Sequence, residues 1–138
     1  HMPTTYTVQE RRPTDTQPAL RYSVLRMADE PRWGVLSAID TRHRGRIRWQ
    51  VETKSILVGG VLATAGGLVF MGEGDGDFNA YDSATGKKLW SFYCGAGVNA
   101  PPVSYEIDGV QYVAIAAGGH QMFGFPTGDA VITFALPQ

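Results

Sequence analysis

The stretch AYDSATGKKLW, from Ala80 to Trp90, has the pattern A-x-D-x-x-T-G-x-x-x-W and decides the fold. A looser copy lies upstream, where Ala38-Ile39-Asp40 is followed by Gly45 and Trp49. The two aspartates of these copies are 42 residues apart and the two tryptophans are 41 apart. A period of this length predicts stacked supersecondary units, most often the blades of a β-propeller.

The residue types of this pattern predict a structural turn without catalytic content. Asp82 can accept backbone N–H bonds across the turn with help from Thr85, and Gly86 can adopt a positive φ. Trp90 would then lie flat between neighbouring blades and bury a large area. The upstream copy is one residue longer, so we expect a β-bulge to absorb the extra residue and its packing to be looser. The predicted structural docking motif consists of Ala38, Asp40, Trp49, Ala80, Asp82, Thr85, Gly86 and Trp90.

The apolar runs and turn signals predict an all-β fold made of antiparallel, four-stranded, propeller-type blades. Glycine (17) and proline (8) are frequent, which suits short strands joined by tight turns. Strands are predicted at 34–40, 47–52, 59–64, 68–72, 78–82, 88–93, 103–107, 110–116 and 130–136. We expect residues 3–32 to form an N-terminal arm or loop with one strand near Leu20–Leu25, and residues 33–137 to form the partial propeller.

The predicted strands number two, then four, then three, which gives about two to three blades. A closed propeller needs four to eight blades, so this one is incomplete. Uncovered blade faces and strand edges drive association. Two expectations stay open: copies of the chain self-associate as a homo-oligomer, or the arm at 19–27 donates the missing strand to the third unit.

The charge pattern gives little sign of a ligand. The formal net charge of −1 predicts neither nucleic acid nor an acidic membrane as a partner, and no apolar run reaches transmembrane length. We interpret the basic run of Arg42, His43, Arg44, Arg46 and Arg48 as a solvated turn, with phosphate binding as the alternative. Glu73, Asp75 and Asp77 are interpreted as a surface hairpin turn, with a Ca²⁺ site as the alternative.

Several motifs in the same order resemble the pyrroloquinoline quinone (PQQ) dependent alcohol dehydrogenases. The A-x-D-x-x-T-G-x-x-x-W stretch resembles their tryptophan-docking motif, and the segments at 59–70, 95–103, 108–114 and 132–137 are also similar. The resemblance implies an eight-bladed propeller of which this chain is the carboxyl-terminal part. It further implies a periplasmic parent enzyme that oxidises primary alcohols to aldehydes with PQQ, a Ca²⁺ or lanthanide ion and an aspartate base.

The same resemblance places the catalytic base and the metal ligands upstream of this region, so no catalytic or metal-binding residue is expected here. The family often carries Trp or Asn just before the Gly-Gly pair, whereas this chain has Val58. Only backbone N–H groups of Val58 and Gly59 could then contact the cofactor. We therefore expect the chain alone to bind no cofactor and to be inactive, with the remaining blades as its partners. The alternative is a stand-alone binding or scaffold module without cofactor.

Overall fold

The computed structural model describes residues 4–11, 13–14, 16, 20–27 and 31–135, and these residues form an all-β protein. The chain divides into two units, residues 1–32 and 33–138. The strands of the described residues are β1 (Thr4–Arg11), β2 (Leu20–Met27), β3 (Gly34–Asp40), β4 (Arg46–Thr53), β5 (Val61–Ala63), β6 (Leu68–Gly72), β7 (Asp77–Asp82), β8 (Lys88–Tyr93), β9 (Val103–Ile107), β10 (Val110–Ala117) and β11 (Ala130–Ala135). Two 3₁₀ helices, Thr41–His43 and Gln121–Phe123, complete the described elements.

The first unit contains a hairpin where the sequence predicted an arm with a single strand. β1 pairs antiparallel with β2 from Thr4↔Met27 to Arg11↔Leu20. The predicted strand at 20–25 is present, but β1 was missed because the nearby prolines favoured a loop. The hydrogen-bonding partner of β2 is therefore β1, which differs from the predicted donation of residues 19–27 to the third sheet.

The second unit contains three antiparallel sheets, as the strand count predicted. Their orders are β3-β4, then β5-β6-β7-β8, then β11-β10-β9. The four-stranded sheet is one complete blade, and the other two are incomplete among the described residues. Within that part of the chain, no helix has the length and apolarity needed to cross a bilayer.

The apolar core lies between the second and third sheets. Its buried members are Phe78, Cys94, Ala96, Val98, Val113, Ile115 and Ala117. Phe134 of β11 closes this core, with its ring centroid 5.6 Å from Phe78 and 5.1 Å from Trp90. Because strand residues alternate between faces, Asn79 and Tyr81 of β7 project from the opposite face. Both are fully buried, so the second sheet is covered on both sides of β7.

The first sheet contacts the second through Trp49 of β4. Its indole Nε1 donates a hydrogen bond to the carbonyl oxygen of Ser83, at 3.0 Å, in the turn after β7. Gly86 of the same turn is buried and has a φ of +74°, and a Cβ built on it would lie 2.7 Å from Trp49 Cδ2. The indole thus occupies the space that any other residue at position 86 would need for its side chain.

We expect Gly86→Ala to lower the free energy of unfolding by about 2–4 kcal/mol, because the left-handed backbone and the rigid indole both oppose a Cβ. Gly109→Ala is the matched control, since Gly109 has a φ of +79° but a Cβ added there would meet no atom within 4 Å. The control should lose only about 1–2 kcal/mol. Urea denaturation measures both values, and equal losses would contradict a specific role for the Trp49 contact.

Candidate functional site

Asp82 organises the turn of the second sheet. Its Oδ1 accepts bonds from the backbone N–H groups of Ala84 (3.2 Å) and Thr85 (2.8 Å), and from the Thr85 hydroxyl at 2.6 Å. The hydrogen bond from the Thr85 side chain is the main reason that the pKa of Asp82 lies below its ordinary value. The Gly86 N–H also donates to the Asp82 carbonyl at 2.8 Å. This aspartate therefore bonds to the turn itself rather than to a ligand.

Asp40 organises the turn of the first sheet in a different way. Its Oδ1 accepts the Arg42 N–H at 3.0 Å, while its Oδ2 lies 2.8 Å from His43 Nδ1 and 3.3 Å from Arg48 Nη1. The His43 hydrogen bond is the first cause of the lowered pKa of Asp40. The first turn therefore gathers basic side chains around its aspartate, where the second turn has a threonine hydroxyl.

The extra residue of the first copy lies in the turn, which corrects the expectation of a compensating bulge. Both copies have a register shift at the same place, directly after the pairs Ala38↔Trp49 and Ala80↔Trp90. The bulge thus belongs to the repeat itself. A 3₁₀ helix followed by Arg44 in the left-handed region (φ 56°) lengthens the first turn instead.

The packing of the two tryptophans is also the reverse of the expectation. Trp49 is half-buried and bonded to the next turn, whereas Trp90 is 38% exposed. Trp90 contacts the rings of Phe78, Phe92 and Phe134. The difference follows from the neighbouring sheet: Trp49 faces a complete β7–β8 turn, while Trp90 faces β11, the last strand that the structure describes.

Val58 and Gly59 lie in the connection that leads into β5. The Val58 side chain is 40% exposed and has no hydrogen-bonding atom. A Cβ on Gly59 would come within 2.9 Å of the Asn99 carbonyl oxygen, and one on Gly60 within 2.8 Å of Pro101 Cβ. Close packing against residues 99–101 therefore explains both glycines without a cofactor. Asn99 Nδ2 is a buried donor with no partner.

A buried polar cluster that the sequence did not reveal surrounds Glu73, which is 3% exposed. Its Oε1 accepts bonds from Asn79 Nδ2 (2.7 Å) and the Tyr81 hydroxyl (3.4 Å), and lies 3.6 Å from Lys88 Nζ. Burial is the main cause that raises the pKa of Glu73, and burial together with the charge of Glu73 raises the pKa of Tyr81. Asn79 Oδ1 is buried without a partner.

The turn from Glu73 to Gly76 was expected on the surface, and this expectation is wrong. The Val98 N–H donates to the Glu73 carbonyl at 3.0 Å, and a Cβ on Gly74 would overlap the Phe125 ring. Segments that are distant in the sequence therefore cover the turn, which local patterning could not indicate. No group of three or more His, Cys, Asp or Glu side chains is placed to hold a metal ion within the described residues.

Glu73→Gln should gain stability relative to the wild type as the pH rises. The folded state raises the pKa of Glu73, so it binds the proton more tightly than the unfolded state does. By linkage, wild-type stability falls as the pH rises from the ordinary glutamate pKa through the raised one. Gln cannot ionise and still accepts the bonds from Asn79 and Tyr81. Urea unfolding at about pH 4 and about pH 8 measures the difference.

Glu106→Gln, at an exposed glutamate on β9, is the control for this titration. A stability difference between Glu73→Gln and the wild type that stays the same at both pH values would contradict the assignment.

Comparisons with known proteins agree with the blade geometry. The profile of the family described as PQQ-dependent glucose, ethanol and alcohol dehydrogenase, β-propeller domain, matches residues 3–113. Lupanine 17-hydroxylase [cytochrome c] from Pseudomonas sp. is 52% identical over 71 residues, which is 51% of this chain and 10% of that protein.

Two solved structures share the fold. Quinohemoprotein alcohol dehydrogenase from Comamonas testosteroni aligns at 32% identity with a TM-score of 0.60, covering 88% of this chain and 18% of that one. A europium-containing methanol dehydrogenase aligns at 29% identity with a TM-score of 0.66, covering 86% and 21%. This chain spans 10–18% of the length of the curated relatives that it matches. Because the family profile covers most of its residues, the chain belongs to the β-propeller domain family of the PQQ-dependent glucose, ethanol and alcohol dehydrogenases.

Proposed function

We propose that this chain is a segment of the propeller of a PQQ-dependent alcohol dehydrogenase. The observation that carries the proposal is the Trp49 to Ser83 hydrogen bond over Gly86, which joins successive sheets in the manner of propeller blades. The parent enzyme oxidises a primary alcohol to an aldehyde with PQQ and a Ca²⁺ or lanthanide ion. Its relatives are bacterial quinoproteins, which supports a periplasmic location.

The described residues do not fit PQQ by themselves. Val58 offers no side-chain donor, and the carbonyl and proline groups of residues 99–101 take up the space beside Gly59 and Gly60. The one unpaired donor near this point, Asn99 Nδ2, is enclosed by protein atoms. PQQ carries carboxylates and quinone oxygens that need several donors and cations, so the rest of the propeller has to supply them.

The isolated chain should therefore show no alcohol-dependent dye reduction when PQQ, Ca²⁺ and a primary alcohol are supplied. An absorbance titration with PQQ should likewise show no saturable change. The positive control is the Comamonas testosteroni enzyme, assayed in the same way. Turnover above that of a heat-inactivated sample would contradict the predicted inactivity. Saturable PQQ binding would show that the chain alone completes a cofactor site.

Replacing the matching segment of the Comamonas testosteroni enzyme by residues 33–135 of this chain tests the parent function directly. The chimera should fold and bind PQQ, whereas the same chimera with Gly86→Ala should be less stable because the blade contact is disturbed. A folded chimera that binds no PQQ would count against the proposed parent function and would favour a scaffold module.

We also propose that the chain associates with the remaining blades or with copies of itself. The outer face of the third sheet carries large apolar side chains that are at least 40% exposed, namely Val103, Tyr105, Ile107 and Val131. Tyr105 and Tyr112 stack on this face at 5.3 Å. A contiguous apolar sheet face of this kind favours a protein partner.

Light scattering should give a mass above the 15.0 kDa of one chain. Val131→Lys should shift the protein towards the monomer, because it places a charge on the apolar face. Met122→Lys is the matched control, since Met122 is 59% exposed but lies in the 3₁₀ helix and outside the sheet face. A wild-type protein that stays monomeric at all concentrations would contradict self-association.

A further inference from the structure

Positive charge is concentrated in one turn of the chain. The basic turn, residues 40–48, holds four arginines, one histidine and one aspartate, a formal charge of +3 with neutral histidine. The whole chain carries −1, so the residues outside the basic turn carry −4. The motif A-x-D-x-x-T-G-x-x-x-W specifies no arginine, and the corresponding span of the second sheet, 82–89, carries a formal charge of only +1 from Asp82, Lys87 and Lys88. The repeat therefore does not account for the arginines.

Two basic side chains of this turn, His43 and Arg48, are held by Asp40. Asp40, whose side chain is 15% exposed, contacts His43 Nδ1 at 2.8 Å and Arg48 Nη1 at 3.3 Å through the same oxygen. The backbone is fixed by the 3₁₀ helix and by a bond from Gly45 N–H to the Asp40 carbonyl at 3.1 Å. Trp49, the next residue after the basic turn, is bonded to Ser83. The carboxylate thus orients two basic groups on a hydrogen-bonded turn.

A surface cavity of about 310 Å³ opens at this turn, lined by Asp40, His43, Arg46, Ile47 and Arg48. One carboxylate serves both His43 and Arg48, and the Arg46 guanidinium has no hydrogen bond or ion pair among the described residues. The cavity therefore keeps an excess of positive charge. Its volume is at the lower end of the range of small-molecule sites, which start at about 300 Å³.

The chemistry of the lining favours a phosphate group. Guanidinium groups bind phosphate oxygens through paired N–H donors. Single-stranded nucleic acid is disfavoured because the lining has no Phe, Tyr or Trp ring on which a base could stack. We propose that the basic turn binds the phosphate group of an organic phosphate, either a soluble phosphate monoester or a phospholipid headgroup, with Arg46 and Arg48 as the binding residues and Asp40 as the positioning residue.

The binding test uses glycerol 3-phosphate as the soluble probe and the amide signals of residues 41–48 as the NMR readout. Saturable shifts with a Kd of about 1 mM or tighter are expected. Arg46→Gln and Arg48→Gln should each weaken binding about tenfold or more, as expected for a charge-assisted bond. Arg44→Gln is the control, because it removes the same charge from the same turn without lining the cavity. Equal weakening by all three variants would overturn the proposal in favour of a diffuse basic surface.

The variant Asp40→Asn distinguishes a binding site with oriented side chains from nonspecific electrostatic attraction. Removing the carboxylate raises the positive charge, so charge attraction alone predicts tighter binding. The proposal predicts weaker binding, because Arg48 and His43 lose their anchor. Circular dichroism and the Trp49 indole signal verify that the variant folds. If Asp40→Asn does not fold, the comparison of Arg46→Gln with Arg44→Gln still decides the proposal.

Vesicles distinguish the two sources of the phosphate. Phosphatidylcholine vesicles with and without phosphatidic acid are used in a sedimentation assay with the wild type, Arg46→Gln and Arg44→Gln. Binding to phosphatidic acid that Arg46→Gln abolishes, with no shift by glycerol 3-phosphate, assigns a lipid headgroup. Saturable shifts by glycerol 3-phosphate assign a soluble phosphate monoester. Binding of neither probe overturns the proposal.

Discussion

The structure depends on one flat contact, that of the Trp49 indole with the turn of the following sheet. The indole needs a neighbour without a side chain, and Gly86 is both buried and in the left-handed region. It also needs an acceptor, which the Ser83 carbonyl provides at 3.0 Å. The carbonyl is available because Asp82 binds the N–H groups of the turn and so fixes its shape. The spacing within A-x-D-x-x-T-G-x-x-x-W therefore places the acceptor carbonyl and the glycine of one sheet where the tryptophan of the preceding sheet contacts them.

This arrangement leaves the outer residues of each turn free to vary. Asp82 is bonded to Thr85, and its span, 82–89, carries a formal charge of +1 where the basic turn carries +3. Asp40 has the same place in the repeat but contacts His43 and Arg48, and the result is a cavity with excess positive charge. The first turn has one more residue, and it forms a 3₁₀ helix followed by Arg44 in the left-handed region. The longer turn allows this difference while Ala38 still pairs with Trp49. A structural repeat can thus carry a binding surface at one of its copies.

The sequence predicted the three sheets closely because short strands and glycine-rich turns are local signals. β6, β8 and β9 begin and end at the predicted residues. β1 could have been found from the β-branched and aromatic residues at Thr4–Val8, but the prolines that follow were given more weight. The burial of Glu73 could not be predicted, because Val98 and Phe125 cover it from distant parts of the chain. The contact of Trp90 with Phe134, in place of a turn, likewise depends on long-range packing.

The docking contact is also directional, and this explains why the three sheets differ. Each tryptophan contacts the sheet that follows its own, Trp49 at a turn and Trp90 at β11, so a sheet gains stability from its successor in the chain, as in other stacked repeats. The first sheet has a complete successor, and Trp49 is half-buried against it. The second sheet is followed by three strands, and Trp90 keeps 38% of its surface exposed. Beyond the third sheet the structure describes no further blade, and its outer face shows Val103, Ile107 and Val131 to solvent. The docking contact therefore accounts for the different exposure of Trp49 and Trp90 and for the uncovered outer face of the third sheet.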